Sequence, residues 1–428
     1  MLLAGVIILD AGPVWAQPTL RQPVPAGSDP VLSLPSADPA PVVTPEAAPQ
    51  LPAPAAKPKS AAKKPKKRKK KPTKKPKKKG PTDPLERDSL DVGPAIVDPL
   101  RAAAHPSFGF VGEYEGHVDL TGSRRSTVPA ALHVNAIGDD GLTGVYLPGR
   151  LPGHVGAADN GDQLRGRRFG RQAALTGGRF DVLITNPGPQ ATARLTDADG
   201  VVVGTLAKVQ RDSPTLGMAP PPGAVRLFDG NSTEQFAGGR ITPEGWLAAG
   251  TETAQPWDDF RLHVEFRLPY KPNAVGQHRG NSGVYIQSRY ELQVLDSFGF
   301  VPAFNDIGSL YRTLRPERIA ARPPLQWQTY DIDFRSPQFD SQGERSQPAR
   351  LQVWLNGVPV HSGTAVPNKT GAGQPEADFP LPTKLQDHKN PVVYRNIWLL
   401  PRGVGAAFGP PPTAGTVPPT PVAVPPSL

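Results

Sequence analysis

Arg261-Leu262-His263-Val264-Glu265-Phe266-Arg267-Leu268 alternates without a break. Leu262, Val264, Phe266 and Leu268 fall on one side of an extended chain, and Arg261, His263, Glu265 and Arg267 on the other. Side chains of a strand alternate with a period of two, so this stretch predicts a half-buried antiparallel strand. Similar patterns recur at residues 284–287, 290–295, 329–334, 350–355 and 392–400. Asn356-Gly357 is a hairpin dipeptide and predicts that 350–355 pairs with 358–361. No helical period interrupts this series, and strands alone over about 180 residues point to a β-sandwich or jelly roll spanning residues 214–401.

Outward from this domain the texture changes on both sides. Residues 214–223, with Pro220-Pro221-Pro222, read as a domain boundary. Upstream of it, short apolar stretches at 108–111, 131–134, 142–147, 180–184 and 201–206 are separated by Gly, Asp and Asn turns. They predict a smaller all-β module over residues 106–213 that serves packing or spacing, with ligand binding as the alternative. Within it, Tyr146-Leu147-Pro148-Gly149-Arg150-Leu151-Pro152-Gly153 reads as a loop. Residues 402–428 return to Pro, Gly, Ala and Val and predict a disordered tail.

The N-terminal part has no core-forming pattern. An apolar run from Met1, ending Val14-Trp15-Ala16, reads as a secretory signal cut after Ala16, although Asp10 interrupts it and no basic residue precedes it. Export to the periplasm, cell surface or medium is therefore expected. Residues 17–105 read as a disordered tether, Pro/Ala-rich to residue 56 and Lys-Lys-Pro-rich over 57–79. That Lys tract holds 14 Lys and one Arg, so removing its fifteen charges turns the net +10 of the chain into −5. The basicity is a local tail and not a basic domain face. It is either a solvated spacer or an adhesive for a polyanion, namely anionic envelope polymers outside the cell or nucleic acid inside it. The 55 Pro and 44 Gly of 428 residues fit this mixture of globular and structureless segments. The sequence has no cysteine, which excludes disulfides, thiol catalysis and Cys-ligated zinc.

Three clusters in the sandwich could carry chemistry. In Arg279-Gly280-Asn281-Ser282-Gly283-Val284-Tyr285, glycines flank Asn281 before a strand and allow close approach to a ligand, though an ordinary β-turn would look the same. In Tyr290-Glu291-Leu292-Gln293-Val294-Leu295-Asp296, Glu291 and Gln293 share the polar face, and Asp296 falls on the apolar parity unless a bulge or strand end re-aims it. Five residues span about 16 Å of strand, and inclined side chains reduce this to about 10 Å between carboxylates. A retaining glycosidase pair needs roughly 5 Å and an inverting pair up to roughly 9.5 Å, so Glu291 and Asp296 make a poor conventional pair. The third cluster, Leu385-Gln386-Asp387-His388-Lys389-Asn390-Pro391 with Tyr394-Arg395-Asn396-Ile397-Trp398, offers an imidazole for general acid–base work or for a structural hydrogen bond. Without a second His at helical or hairpin spacing, a metal site built on Asp387 and His388 is unsupported, and no cofactor is expected.

These clusters, in this order, resemble the 3-keto-disaccharide hydrolase family. The likeness also includes Leu227-Phe228-Asp229-Gly230-Asn231, Asp259 to Arg267, and Trp327-Gln328-Thr329-Tyr330-Asp331-Ile332-Asp333-Phe334. It implies a concanavalin-like sandwich acting on glycosides oxidised to a ketone at C3. Such a ketone acidifies the C2 hydrogen, so one base can start an elimination of the C1 aglycone, and water then adds back. On that reading Glu291 or His388 is the base and the other the acid, with Asp387 orienting His388 and Asp296 counted with them among the catalytic residues. Asn281, Gln293, Tyr311, Gln386, Arg395 and Asn396 would contact sugar or enolate. Trp257 would be either a stacking platform or a core residue. One segment departs from the family: Asn305-Asp306-Ile307-Gly308-Ser309-Leu310-Tyr311 stands where the family usually has Asn-Glu-Cys-Gly-(Gly/Ala)-Ile-Tyr. A non-catalytic carbohydrate-binding module tethered to the envelope is the alternative function, and a nucleic-acid binder acting through the Lys tract is a third.

Overall fold

The computed structural model describes residues 93–120 and 127–410. The expected signal segment, the Pro/Ala stretch, the Lys tract and residues 411–428 lie outside the described residues. Among the described residues, no helix is long and apolar enough to cross a membrane.

After a five-residue helix α1 (Pro99–Ala103) come β1 (Gly112–Asp119), β2 (Thr127–Ile137), β3 (Gly141–Pro148), β4 (Asp162–Phe169), β5 (Gln172–Thr176), β6 (Asp181–Thr185), β7 (Thr192–Thr196) and β8 (Val202–Val209). These eight strands pair consecutively, and β8 returns to β1 to close a barrel. Its interior is filled by Tyr114, Leu132, Val134, Leu164, Leu175, Ile184, Leu195 and Leu206. Closure leaves no free strand edge, which is how so small a sheet avoids pairing with others. The expected strand at 108–111 is instead a 3-10 turn, Phe108–Phe110, and Tyr146–Pro148 belongs to β3 rather than to a loop. The second departure follows from strand pairing, since β3 runs on to Pro148 opposite Ala130 of β2.

The second part contains β9 (Val225–Phe228), β10 (Phe236–Ala237), β11 (Leu247–Ala248), β12 (Thr251–Thr253), β13 (Phe260–Arg267), β14 (Ser282–Ile286) and β15 (Tyr290–Val294). It continues with β16 (Trp327–Arg335), β17 (Gln338–Phe339), β18 (Arg345–Gln347), β19 (Arg350–Leu355), β20 (Val358–Ala365), β21 (Lys384–Leu385) and β22 (Val393–Pro401). A seven-stranded sheet runs β11-β22-β13-β16-β19-β20 with β9 on β22, and a five-stranded sheet runs β10-β12-β21-β14-β15. Leu262, Val264, Phe266, Val284, Ile286, Leu292, Tyr330, Ile332, Val353 and Leu399 fill the space between them. The fold is all-β: a two-sheet sandwich preceded by a smaller β module. The Asn356-Gly357 hairpin forms as expected, with Leu355 opposite Val358 and both turn residues at positive φ.

One expectation about β13 fails. The middle of its polar face, His263 and Glu265, is buried and Arg261 and Arg267 are half-buried, because the segment between barrel and sandwich lies across it. Ser213 and Thr215 hydrogen-bond Thr329, the Thr215 hydroxyl donates to Asp331 at 2.8 Å, and the Gly217 amide donates to Glu265. His263 sits between Asp331 (2.7 Å) and Glu265 (3.6 Å). Burial alone would lower its pKa, but the two carboxylates outweigh that and lift it to about 9.

The two modules share a buried polar contact. Glu113 of β1 receives Arg211 and, from the sandwich side, Arg322 at 2.8 Å. Ile319 packs into an apolar group with Ala131, Val145, Leu147 and Leu151 of the barrel. Order also reaches further at each end than the sequence predicts. Ile96 exchanges backbone hydrogen bonds with Tyr270, and Asp98 caps α1 by accepting from the Leu100 amide, so residues 93–105, expected as part of the tether, are ordered. Beyond β22, Gly405 and Gly409 donate to Asp259 and Asp333, so residues 402–410 lie against the sheet.

The edge of the five-stranded sheet is occupied. The amides of Gln293 and Tyr311 bond the carbonyls of Ser309 and Glu291, and the Glu291 amide donates to the Thr370 hydroxyl.

Candidate functional site

The β14–β15 hairpin turns through Gln287 and Ser288, both at positive φ, and places Tyr285 opposite Glu291 and Gly283 opposite Gln293. Val284, Ile286, Tyr290, Leu292 and Val294 enter the core, so Gly283, Tyr285, Glu291 and Gln293 share the outer face. The alternation read from the sequence is realised here. Tyr285 donates to Glu291 Oε2 at 2.7 Å. Glu291 is only 2% exposed. Burial raises its pKa to about 7, and the phenol hydrogen bond limits the rise. A carboxyl group at that pKa exchanges a proton near neutrality, which an ordinary surface glutamate does not. Gly283 gives it room, since a Cβ there would fall 2.8 Å from Glu291 Oε1.

Amides surround this pair. Gln386 is fixed by its own backbone: its amide donates to the Gly283 carbonyl, and its carbonyl accepts from Ser282 Oγ at 2.6 Å. Its side-chain Nε2 reaches the Tyr285 hydroxyl at 3.4 Å, and its buried Oε1 has no partner. Gln277 Oε1 accepts from Gln293 Nε2 (2.7 Å) and Asn281 Nδ2 (3.0 Å), and Asn281 Oδ1 is also buried without a partner. Tyr311 and Glu291 both border Gly371, whose loop closes the site from the other side. A cavity of about 580 Å³ adjoins Tyr285 and Gln386, with Glu252, Lys384, Arg289 and Phe379 on its walls. That volume lies in the usual range for small-molecule pockets.

Of the sequence candidates, Glu291, Gln293, Asn281, Gln386 and Tyr311 therefore come together. The others do not. Asp296 lies past the end of β15, where Arg279 (2.6 Å) and Asn135 (2.9 Å) occupy its carboxylate, so it serves the junction with the barrel. Asp387 accepts from the Lys389 amide instead of orienting His388, and both side chains are exposed at the surface of their turn. Arg395 and Asn396 bond Glu265 on the seven-stranded sheet. Trp257 packs on the core, with its carbonyl accepting from Gln287. In the segment that departs from the family, Asp306 accepts from the Ala303 amide of its own turn and Ile307 is buried in the core. Tyr285 and Gln277 were missed as site residues. Tyr285 could have been found by pairing the two quoted strands across their turn, whereas Gln277 carries no sequence signal.

Comparison with known proteins concerns mainly the sandwich. Residues 223–400 match the model of the 3-keto-alpha-glucoside-1,2-lyase-like domain. A crystal structure from Parabacteroides distasonis ATCC 8503, at 2.13 Å and described as a "putative glycosyl hydrolase", is 30% identical. The match covers 42% of this chain and 85% of that one, with a TM-score of 0.39. A second one so described from that organism, at 1.70 Å, is 16% identical over 46% of this chain and 99% of that one, with a TM-score of 0.31. A Trypanosoma rangeli sialidase is 9% identical over 64% and 51%, with a TM-score of 0.22. No curated protein matches the sequence. The matched residues contain both sheets and every member of the Glu291 cluster, and through them the chain belongs to the 3-keto-alpha-glucoside-1,2-lyase-like domain family.

Proposed function

We propose that the protein cleaves the glycosidic bond of 3-keto-glycosides by elimination followed by hydration, with Glu291 as the base. The observation that carries this reading is the Glu291–Tyr285 pair: one buried carboxyl group, poised near pH 7, bonded to a hydroxyl that the side-chain amide of Gln386 also reaches. Ionised Glu291 takes the C2 proton, which the C3 ketone has made acidic. Electrons move into a C1–C2 double bond as the C1–oxygen bond breaks, and the aglycone leaves with a proton. Water then adds at C1, a proton returns to C2, and the sum is hydrolysis. Such a route needs one base rather than two carboxylates at glycosidase spacing, and Asp296 is held away from the site by Arg279 and Asn135. Gln386, Asn281 and Gln293 are the groups suited to hydroxyls and to the enolate oxygen, and Tyr285 is the group suited to relay a proton.

The proposal includes export and an adhesive role for residues 57–79 toward anionic envelope polymers. The central test is turnover of 3-keto-trehalose or a 3-keto-nitrophenyl glucoside. Aglycone release by the wild type, lost in Glu291→Gln, is expected. Binding of these compounds without release would overturn the enzyme reading in favour of a carbohydrate-binding module.

A further inference from the structure

The segment that follows β15 and covers its edge at Glu291 and Gln293 belongs to the sandwich, yet five of its first six residues, 296–301, are held by the barrel. Asn135 of β2 donates to the Asp296 carboxylate at 2.9 Å and to the Phe298 carbonyl at 3.1 Å, and the Phe298 ring stacks on His133. The Gly299 carbonyl accepts from Thr143 of β3 (3.0 Å) and Gln163 of β4 (3.1 Å). Gln163 Oε1 then accepts the Val301 amide at 3.0 Å, and Arg165 lies over the Phe300 ring. Gly299 has φ +76, and a Cβ there would meet the Asn135 amide nitrogen at 3.1 Å, so the segment lies directly on the barrel wall.

The second half of the same segment shapes the site. The Asn305 carbonyl receives Gln277 Nε2 at 2.9 Å and so fixes the amide that holds Gln293 and Asn281. Ser309 and Tyr311 pair with the backbone of β15, and the Tyr311 ring borders Gly371 beside Glu291. Most of the barrel contacts go to backbone groups of residues 298–301, so they fix the path of the chain as well as adding buried area.

We infer that Asn135, Thr143 and Gln163 are positioning residues of the Glu291 site: the barrel anchors residues 296–301 so that residues 305–311 hold their amides and Tyr311 in place. The inference rests on the reading of Glu291 as the reacting group. It makes the β module part of the enzyme's working structure rather than a spacer.

The test uses the full chain with Gln163→Ala, which removes no buried charge, and Asn135→Ala as a second variant. Thr185→Ala, whose hydroxyl pairs with Thr192 within the barrel, is the control. Amide hydrogen exchange over residues 303–311 should accelerate about tenfold in Gln163→Ala and Asn135→Ala but not in Thr185→Ala. With a 3-keto-nitrophenyl glucoside, KM should rise about fivefold or more in Gln163→Ala while kcat changes less. Gln163→Glu, which sets a carboxylate oxygen against the Gly299 and Gly144 carbonyls in place of a donor, should not restore the loss. Unchanged exchange over 303–311 in both variants would overturn the inference even in an active enzyme. A wild type without turnover whose exchange still responds would overturn the reading of Glu291 and leave the anchoring supported.

Discussion

The phenol of Tyr285 donates to the carboxylate of Glu291 from the neighbouring strand of one hairpin, at 2.7 Å and shielded from solvent. A donor so placed favours the ionised carboxylate, while burial disfavours it, and burial dominates. The acid limb of activity should therefore titrate near pH 7.

Glu291→Gln should lower kcat by about 10²- to 10⁴-fold, the usual contribution of a general base. The same variant should be more stable than wild type in alkali. A carboxyl group whose folded pKa is raised from 4.5 to about 7 binds more protons folded than unfolded, so its ionisation costs stability as pH rises from 4.5 through 7. Chemical denaturation at pH 8 should show a gain of roughly 2–3 kcal/mol, shrinking to nothing below pH 4.5. A variant less stable than wild type at pH 8 would contradict this.

Tyr285→Phe removes the one hydrogen bond that restrains the Glu291 pKa. The acidic midpoint of the kcat/KM profile should move upward by about one pH unit. An unmoved midpoint would show that the phenol does not act on the carboxyl group.

Gly283→Ala tests space rather than charge. Its methyl group would fall 2.8 Å from Glu291 Oε1 and 3.1 Å from Cγ, so the carboxylate must shift. Activity should fall about ten- to a hundredfold for a displacement of this size, with circular dichroism unchanged. Full activity would place the reacting carboxylate elsewhere.

The buried His263 gives a pH signature of the same sign in a higher window, here as a stabilising charge that is lost. Its folded pKa, raised from 6.5 to about 9, contributes stability that is fully present below pH 6.5 and is lost as pH rises through 9. The groups facing it are Asp331, Glu265 and Asn396, with Trp398 stacked on its ring. Wild-type stability should drop by about 3 kcal/mol between pH 6 and pH 10 from this group, and His263→Gln should flatten that part of the curve. An equally steep loss in the variant would exclude His263 as its source.

The sandwich and the outward face of Glu291 and Gln293 were legible because strand parity is a local property. Two consecutive strands, a dipeptide turn and a run of alternating residues contain their own geometry. What could not be read depends on chain brought from far away. Asp296 looks like a second active-site acid until Asn135, 161 residues earlier, is found bonded to it. The polar face of β13 looks solvent-facing until Thr215 and Gly217 cover it. Arg395 and Asn396 follow the Gln386 loop closely in sequence, but β22 enters the opposite sheet and carries them to Glu265. His388 lies inside the exposed turn that Asp387 makes with Lys389, and only Gln386, still bonded to Gly283, stays at the site.

The occupied edge of β15 has a consequence for self-association. An uncovered edge strand offers unpaired amides and carbonyls to any similar edge on another molecule. Here Ser309, Tyr311 and Thr370 take up those groups on the strand that carries Glu291. Conditions that peel this cover away would open the site and, in the same step, expose a sticky rim through which chains join into sheets. Loss of activity and onset of aggregation should therefore share one midpoint.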